Sequence, residues 1–164
     1  MKKALSFGCG EYIEKDDENF KWDNWDILAI KGVKKVEFNE LPYPAKENTY
    51  DFIKARQVLQ LLDYPDKVLH ELWRITKPNG VIHVTVSYYN NKGAHNDIKT
   101  KYYFNENSFR LFCDWNKEKF ELISLGLTKT RVGKILFFEK IRKFLNLFIS
   151  SIYENIEVKI KVKK

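Results

Sequence analysis

The feature that most constrains this chain is a strand-like, helix-like, strand-like succession over residues 50–88. Residues 50–55, Tyr50-Asp51-Phe52-Ile53-Lys54-Ala55, form a short apolar segment. Residues 65–77 place Val68, Leu69, Leu72, Trp73 and Thr76 at spacings of three and four, the stripe of an amphipathic helix. Asp63 stands ahead of it as a candidate cap, with Pro65 in the first turn. Pro78-Asn79-Gly80 then stops the helix and turns the chain into residues 80–88, whose Val81-Ile82-His83-Val84-Thr85-Val86 is the strongest strand pattern present. The same alternation runs outward from this unit. Residues 4–7, 22–30, 33–38 and 120–130 read as strands, and 105–115 as a helix capped by Asn105. Residues 133–153, from Gly133 to Tyr153, read as the longest helix. In 157–164, Val158, Ile160 and Val162 alternate with Lys159, Lys161 and Lys163, a strand with one wet face. Such alternation predicts one α/β domain with a mainly parallel sheet.

Size and composition fit that reading. The 164 residues suffice for one core and not two, and 44% hydrophobic with 15% aromatic content favours folding over disorder. The apolar start breaks at Gly8-Cys9-Gly10 before any secretory segment develops, and no run approaches a membrane span. Cys9 and Cys113 form no metal or redox pattern, so a cytoplasmic protein with no metal site is expected. Residues 1–100 balance 15 Lys/Arg against 15 Asp/Glu, whereas residues 101–164 carry 14 against 7. The whole net charge of +7 thus lies in the second part. It is either a solubilising surface or a contact for nucleic acid or anionic lipid.

Chemistry concentrates near the first strand. A glycine pair after a short apolar strand lets the backbone bend sharply and approach a ligand closely. The dinucleotide fingerprint needs a third glycine, and Glu11 and Tyr12 follow instead, which argues against a nicotinamide cofactor. Asp26, 16 residues beyond Gly10, lies where doubly wound folds place an acid for ribose hydroxyls. Alone it reads as an ordinary strand-end aspartate.

Taken in order, Leu5-Ser6-Phe7-Gly8-Cys9-Gly10, Asn24-Trp25-Asp26-Ile27, Leu41-Pro42-Tyr43-Pro44 with Asn48-Thr49-Tyr50-Asp51, Val58-Leu59, and Leu72-Trp73-Arg74-Ile75-Thr76-Lys77-Pro78-Asn79-Gly80 resemble the class I S-adenosylmethionine-dependent methyltransferases, nearest their small type 11 branch. The resemblance covers residues 4–88 and implies a compact Rossmann-like, doubly wound fold without N-terminal helices. It makes residues 4–88 the cofactor-binding half and 89–164 the substrate side. It implies S-adenosylmethionine as cofactor. Phe7, Gly8, Cys9 and Gly10 would line its methionine part, with backbone N–H groups facing the carboxylate. Asp26 and Ile27 would hold the ribose, Glu37 and Phe38 the adenine, and Ala55 and Gln57 would flank the sulfonium.

Departures from the family pattern shape the remaining expectations. Only residues 11–21 separate the glycine turn from the next strand, barely enough for a crossover helix. The family's Glu-His pair is replaced by Gln60-Leu61, removing an acid and a base from the substrate side. His95, in the loop after the fifth strand, is then the candidate catalytic base, whereas His70 and His83 read as structural. The helix of residues 133–153 is expected to pack on the sheet, with a homodimer contact or a membrane surface as alternatives. Two functions stay open. One is methyl transfer to an unidentified acceptor; the other is a catalytically silent cofactor-binding or interaction protein using its basic C-terminal part.

Overall fold

A computed structural model describes residues 1–135 and 138–164. Seven strands form one sheet: β1 (Lys2–Phe7), β2 (Phe20–Asp26), β3 (Lys34–Lys35), β4 (Tyr50–Arg56), β5 (Thr76–Ser87), β6 (Phe120–Lys129) and β7 (Tyr153–Val162). Their order is β3-β2-β1-β4-β5-β7-β6. The first five are parallel, and β7 runs antiparallel between β5 and β6. All parallel strands therefore end along one edge, with the order reversing at β1 and β4, where such sheets open a ligand crevice.

The helices are α1 (Pro65–Ile75), α2 (Glu106–Trp115), α3 (Arg131–Ile135) and α4 (Glu139–Leu145). α1 buries Val68, Leu69 and Leu72 of the expected stripe together with Ile75, while Trp73 is half-buried. It ends two residues earlier than the sequence pattern implies, because Thr76 becomes extended and its hydroxyl donates to the Leu72 carbonyl at 2.7 Å. Thr76 already pairs with Tyr50, and Asn79, at φ 62°, supplies the expected left-handed bend before the ladder resumes at Val81. Its first turn is entered through Pro65 with Tyr64 at the cap position; Asp63 instead pairs with Lys101. Asn105 caps α2 through a reciprocal pair of bonds with Ser108, as expected. In β7 the alternating apolar residues meet their counterparts in β5, Val158 opposite Val84 and Ile160 opposite Ile82, all fully buried.

Three segments depart from the sequence reading. Residues 11–19 carry no helix; the short crossover is pinned by Asn24, whose amide exchanges two 2.9 Å bonds with the Glu14 backbone. The strand expected over 33–38 shrinks to two residues, because the chain dives after Lys35 to bury Val36 and Phe38. The long helix expected over 133–153 is replaced by α3 and α4, with residues 136–137 of that stretch outside the described residues. The sheet overrides helical periodicity at its far end. Thr130 donates to the carbonyls of Ser151 and Ile152, and Tyr153 enters β7.

Burial holds the imidazole of His70 below its ordinary value, with Lys119 adding to the effect, and burial does the same for His83. The unfolded chain then takes up these protons first, so stability complete above pH 6.5 is lost as pH falls below it. The melting temperature is expected to drop between neutral and mildly acidic pH, and a His70→Phe/His83→Gln variant to drop less. Parallel pH profiles for the two proteins would contradict this assignment.

Candidate functional site

The cleft forms where β1, β2 and β4 end. Gly8 and Gly10 both adopt positive φ, 72° and 55°. The bend folds the turn onto the neighbouring strand: the N–H groups of Gly8 and Cys9 both donate to the Trp25 carbonyl, at 3.0 and 3.1 Å. Gly10 N–H donates to Asp26 Oδ2 at 2.7 Å, and Leu28 N–H donates to Oδ1 at 3.1 Å. The glycine turn and the carboxylate are thus in direct contact. Each carboxylate oxygen keeps a further lone pair for a ligand.

The two glycines have different reasons to be glycine. A Cβ on Gly8 would lie 2.7 Å from the Cβ of Val58, so the turn and the segment after β4 close only around a bare backbone. A Cβ on Gly10 would meet nothing within 4 Å, since this residue faces open space.

Around this turn lies a cleft of about 510 Å³ lined by Gly8, Cys9, Gly10, Asp26, Ile27, Glu37, Phe38 and Gln57, eight of the ten residues expected to bind a cofactor. That volume is in the range of small-molecule sites. Phe7 and Ala55, the other two, are fully buried strand residues beneath its floor. Phe38 is mostly a core residue: its ring packs 4.0 Å from that of Phe7, and Tyr43 O–H donates to its carbonyl at 2.8 Å. Gln57 has φ 54°, uncommon for a side chain that is not Asn, Asp or Gly, and a conformation that concentrates at functional sites. Its amide is tied to Asn155 and accepts from Ser87 and Gln60.

Tyr12, Asn39, Arg56, Val58, Leu61, Leu62, Lys99 and Lys101 complete the lining, and none of them was among the residues expected to bind a cofactor. Arg56 stacks over the Tyr12 ring at 4.6 Å. Lys99 and Lys101 arrive on the loop after β5, held at the rim because Lys101 N–H and Tyr102 N–H both donate to the Gln60 carbonyl. A period-two pattern identifies strands but gives no signal for which rim residues a long loop delivers.

Two expectations need correction. The N–H groups of Gly8, Cys9 and Gly10 are all engaged within the protein, so they are not presented to a ligand carboxylate. Arg56, Lys99 and Lys101 are the cations that line the cleft. His95 does not line the cleft; it is exposed, stacks on Tyr103 at 4.5 Å and contacts the Tyr89 carbonyl. Burial, then the Asp26 charge, pushes the Cys9 thiol up, so it stays protonated and unreactive.

The remaining motif residues build the wall. Arg74 bridges Glu71 through two bonds and donates to the carbonyls of Tyr43 and Ala45, stapling residues 41–45 to α1. Asp51 is paired with Lys77 at 2.8 Å and accepts from Lys3 N–H. A second hollow of about 580 Å³ runs beside β2 from Trp22 to Trp25, with Lys34 and Tyr50 in its lining. Its polar groups satisfy one another, with Asp23 bound by both Lys3 and Tyr50.

A family of sequences described as a methyltransferase domain matches residues 13–84. No curated protein matches the chain in sequence. Among solved structures, an S-adenosylmethionine-dependent methyltransferase from Archaeoglobus fulgidus is similar with a TM-score of 0.71 at 14% identity, over 98% of this chain and 86% of that one. The chain solved with the Trm112 methyltransferase activator of Haloferax volcanii is similar at 0.69 and 11%, over 99% and 83%. The [4+2]-cyclase SpnF is similar at 0.67 and 14%, over 99% and 74%. The expected class I methyltransferase fold is thereby established.

Gly8→Ala is expected to lower stability and shrink the cleft through the Val58 contact, while Gly10→Ala meets only the backbone cost of positive φ. Thermal melts of the two variants check this; equal destabilisation would contradict the assigned packing.

Proposed function

We propose that this chain, a member of the class I S-adenosylmethionine-dependent methyltransferases, binds that cofactor in the Gly8–Gly10 and Asp26 cleft and directs its methyl group to an acceptor at the rim. The observation that carries the reading is the 2.7 Å bond from Gly10 N–H to Asp26, which sets a carboxylate at the turn where an adenosyl ribose is gripped. The donor set fits the group. Asp26 retains acceptor capacity for two vicinal hydroxyls, Ile27, Phe38 and Leu62 offer an apolar wall to a purine, and Arg56 and Lys99 offer charge to an amino-acid carboxylate. Glu37, exposed at the rim, is an acceptor for an exocyclic amine.

When bound, the cofactor supplies a methyl group already activated on a sulfonium. The protein's task is then to hold an acceptor in line, and positioning alone contributes about 7–11 kcal/mol. The strained Gln57 and its hydrogen-bonded network fix the wall on that side. Among the described residues the cleft lining contains no histidine, and Cys9 is held as a thiol. The carboxylates of Asp26 and Glu37 are then the anionic groups in the lining that could take a proton from an acceptor. The absence of a histidine from that lining supports a second reading, a silent cofactor-binding protein, and turnover of the cofactor with candidate acceptors separates the two. A cytoplasmic location accords with either reading.

Calorimetry is expected to show micromolar binding of S-adenosylmethionine or its demethylated product. Asp26→Ala is expected to cost about 1–3 kcal/mol of that binding, with Asp26→Asn, which keeps an acceptor for Gly10, losing less. Unchanged affinity in both variants would remove Asp26 from the site.

A further inference from the structure

The segment between β6 and β7 buries Ile152 and half-buries Leu145 but turns most of its other large apolar side chains outward. In α4 and the turn after it, Arg142 and Asn146 point inward at 6% and 8% exposure. Phe138, Leu147 and Phe148 stand 71–75% exposed, with Phe144 at 61%. In α3, Ile135 is 71% exposed, while the inward position is Gly133, where a Cβ would lie 2.0 Å from the Ile152 carbonyl. Phe138, Ile141, Phe144 and Phe148 follow spacings of three and four, one outward stripe.

This orientation is fixed by polar bonds. Asn90 donates to the Asn146 carbonyl at 2.8 Å, Asn146 donates to the Tyr88 hydroxyl at 3.2 Å, and Ser151 N–H donates to the Asn90 carbonyl at 2.8 Å. The segment is therefore bolted to the loop after β5 by its polar side, and the apolar side has nowhere to turn. Because β6 runs parallel to β5, the stripe sits at the same end of the sheet as the cleft.

Charge identifies the occupant. Residues 122–153 contain six Lys/Arg and one Asp/Glu, and Lys129, Arg131, Lys134 and Lys140 flank the exposed apolar residues in sequence, with Glu154 beside Lys129, Arg131 and Lys134. Aromatic and aliphatic groups rimmed by cations suit the interface of an anionic bilayer, where apolar groups enter the acyl boundary and lysines meet headgroups. A second copy of the chain suits it poorly, since a two-fold contact sets this cationic rim against itself. No helix among the described residues is long and apolar enough to cross a membrane, so the contact is with the surface.

We infer that α3 and residues 138–149 dock the protein on anionic lipid surfaces, with the cleft end of the sheet turned toward the bilayer. On the proposed cofactor reading, which this last step rests on, the acceptor is then an amphiphile held in the membrane.

The test is co-sedimentation of the full chain with vesicles of phosphatidylcholine alone and of phosphatidylcholine mixed with phosphatidylglycerol. Pelleting with the anionic vesicles is expected, with Phe144→Glu/Phe148→Glu losing on the order of tenfold or more while its melting temperature and cofactor binding stay unchanged. Lys134→Glu/Lys140→Glu is expected to weaken the preference for anionic lipid. Absence of pelleting with either vesicle overturns the inference, as does a soluble dimer dispersed by Phe144→Glu/Phe148→Glu. Calorimetry with S-adenosylmethionine alone reads the cleft separately, so loss of one result leaves the other interpretable.

Discussion

The hydrogen bond from Gly10 N–H to Asp26 is the interaction on which the rest of the site depends. It requires a backbone that bends at positive φ directly after β1 and an acid at the last residue of β2, the strand paired with β1 in parallel. Parallel pairing brings the ends of both strands to one edge, so residues 16 apart in sequence become neighbours without any long-range search. The bond also withdraws the Gly10 N–H from ligand duty, and the Trp25 carbonyl withdraws those of Gly8 and Cys9. Whatever anionic group enters the cleft must find side-chain cations, and Arg56, Lys99 and Lys101 line it.

The sequence motifs divide into those that touch the cleft and those that hold its wall. Arg74, Glu71 and the backbone of Tyr43 and Ala45 form one unit, and Asp51, Lys77 and Lys3 form another. These pairings explain why Leu41-Pro42-Tyr43-Pro44 and the Arg74 to Gly80 stretch belong together although more than 25 residues apart. The first presents Phe38 and its neighbours to the cleft; the second, through Arg74 at the end of α1, keeps that presentation rigid. Motif membership alone does not separate a ligand contact from a brace, and only the contacts do.

Much of this was legible in the sequence because it follows local chemistry. The α1 stripe, the Asn105 cap, the left-handed Asn79 and the alternating β7 each follow from propensity or period. Gly8, Gly10 and Asp26 were legible as a set because the strand pattern around them fixes the edge where they meet. What was hidden depends on tertiary competition. Helical periodicity over residues 133–153 lost to the demand of β6 for an antiparallel partner at Tyr153. The strand at 33–38 lost to the burial of Val36 and Phe38. His95 was a sound candidate by composition, yet its stacking on Tyr103 keeps it out of the cleft, and the lysines of the same loop line the rim in its place.

The most direct measurement of the central claim is an amide-resolved NMR titration with the demethylated cofactor product. The account predicts that the Gly10 and Leu28 amides, both bonded to Asp26, shift first and saturate together with Gly8 and Gln57. Shifts confined to the hollow at Trp22, Lys34 and Tyr50, with the Gly10 amide unmoved at saturation, would contradict it.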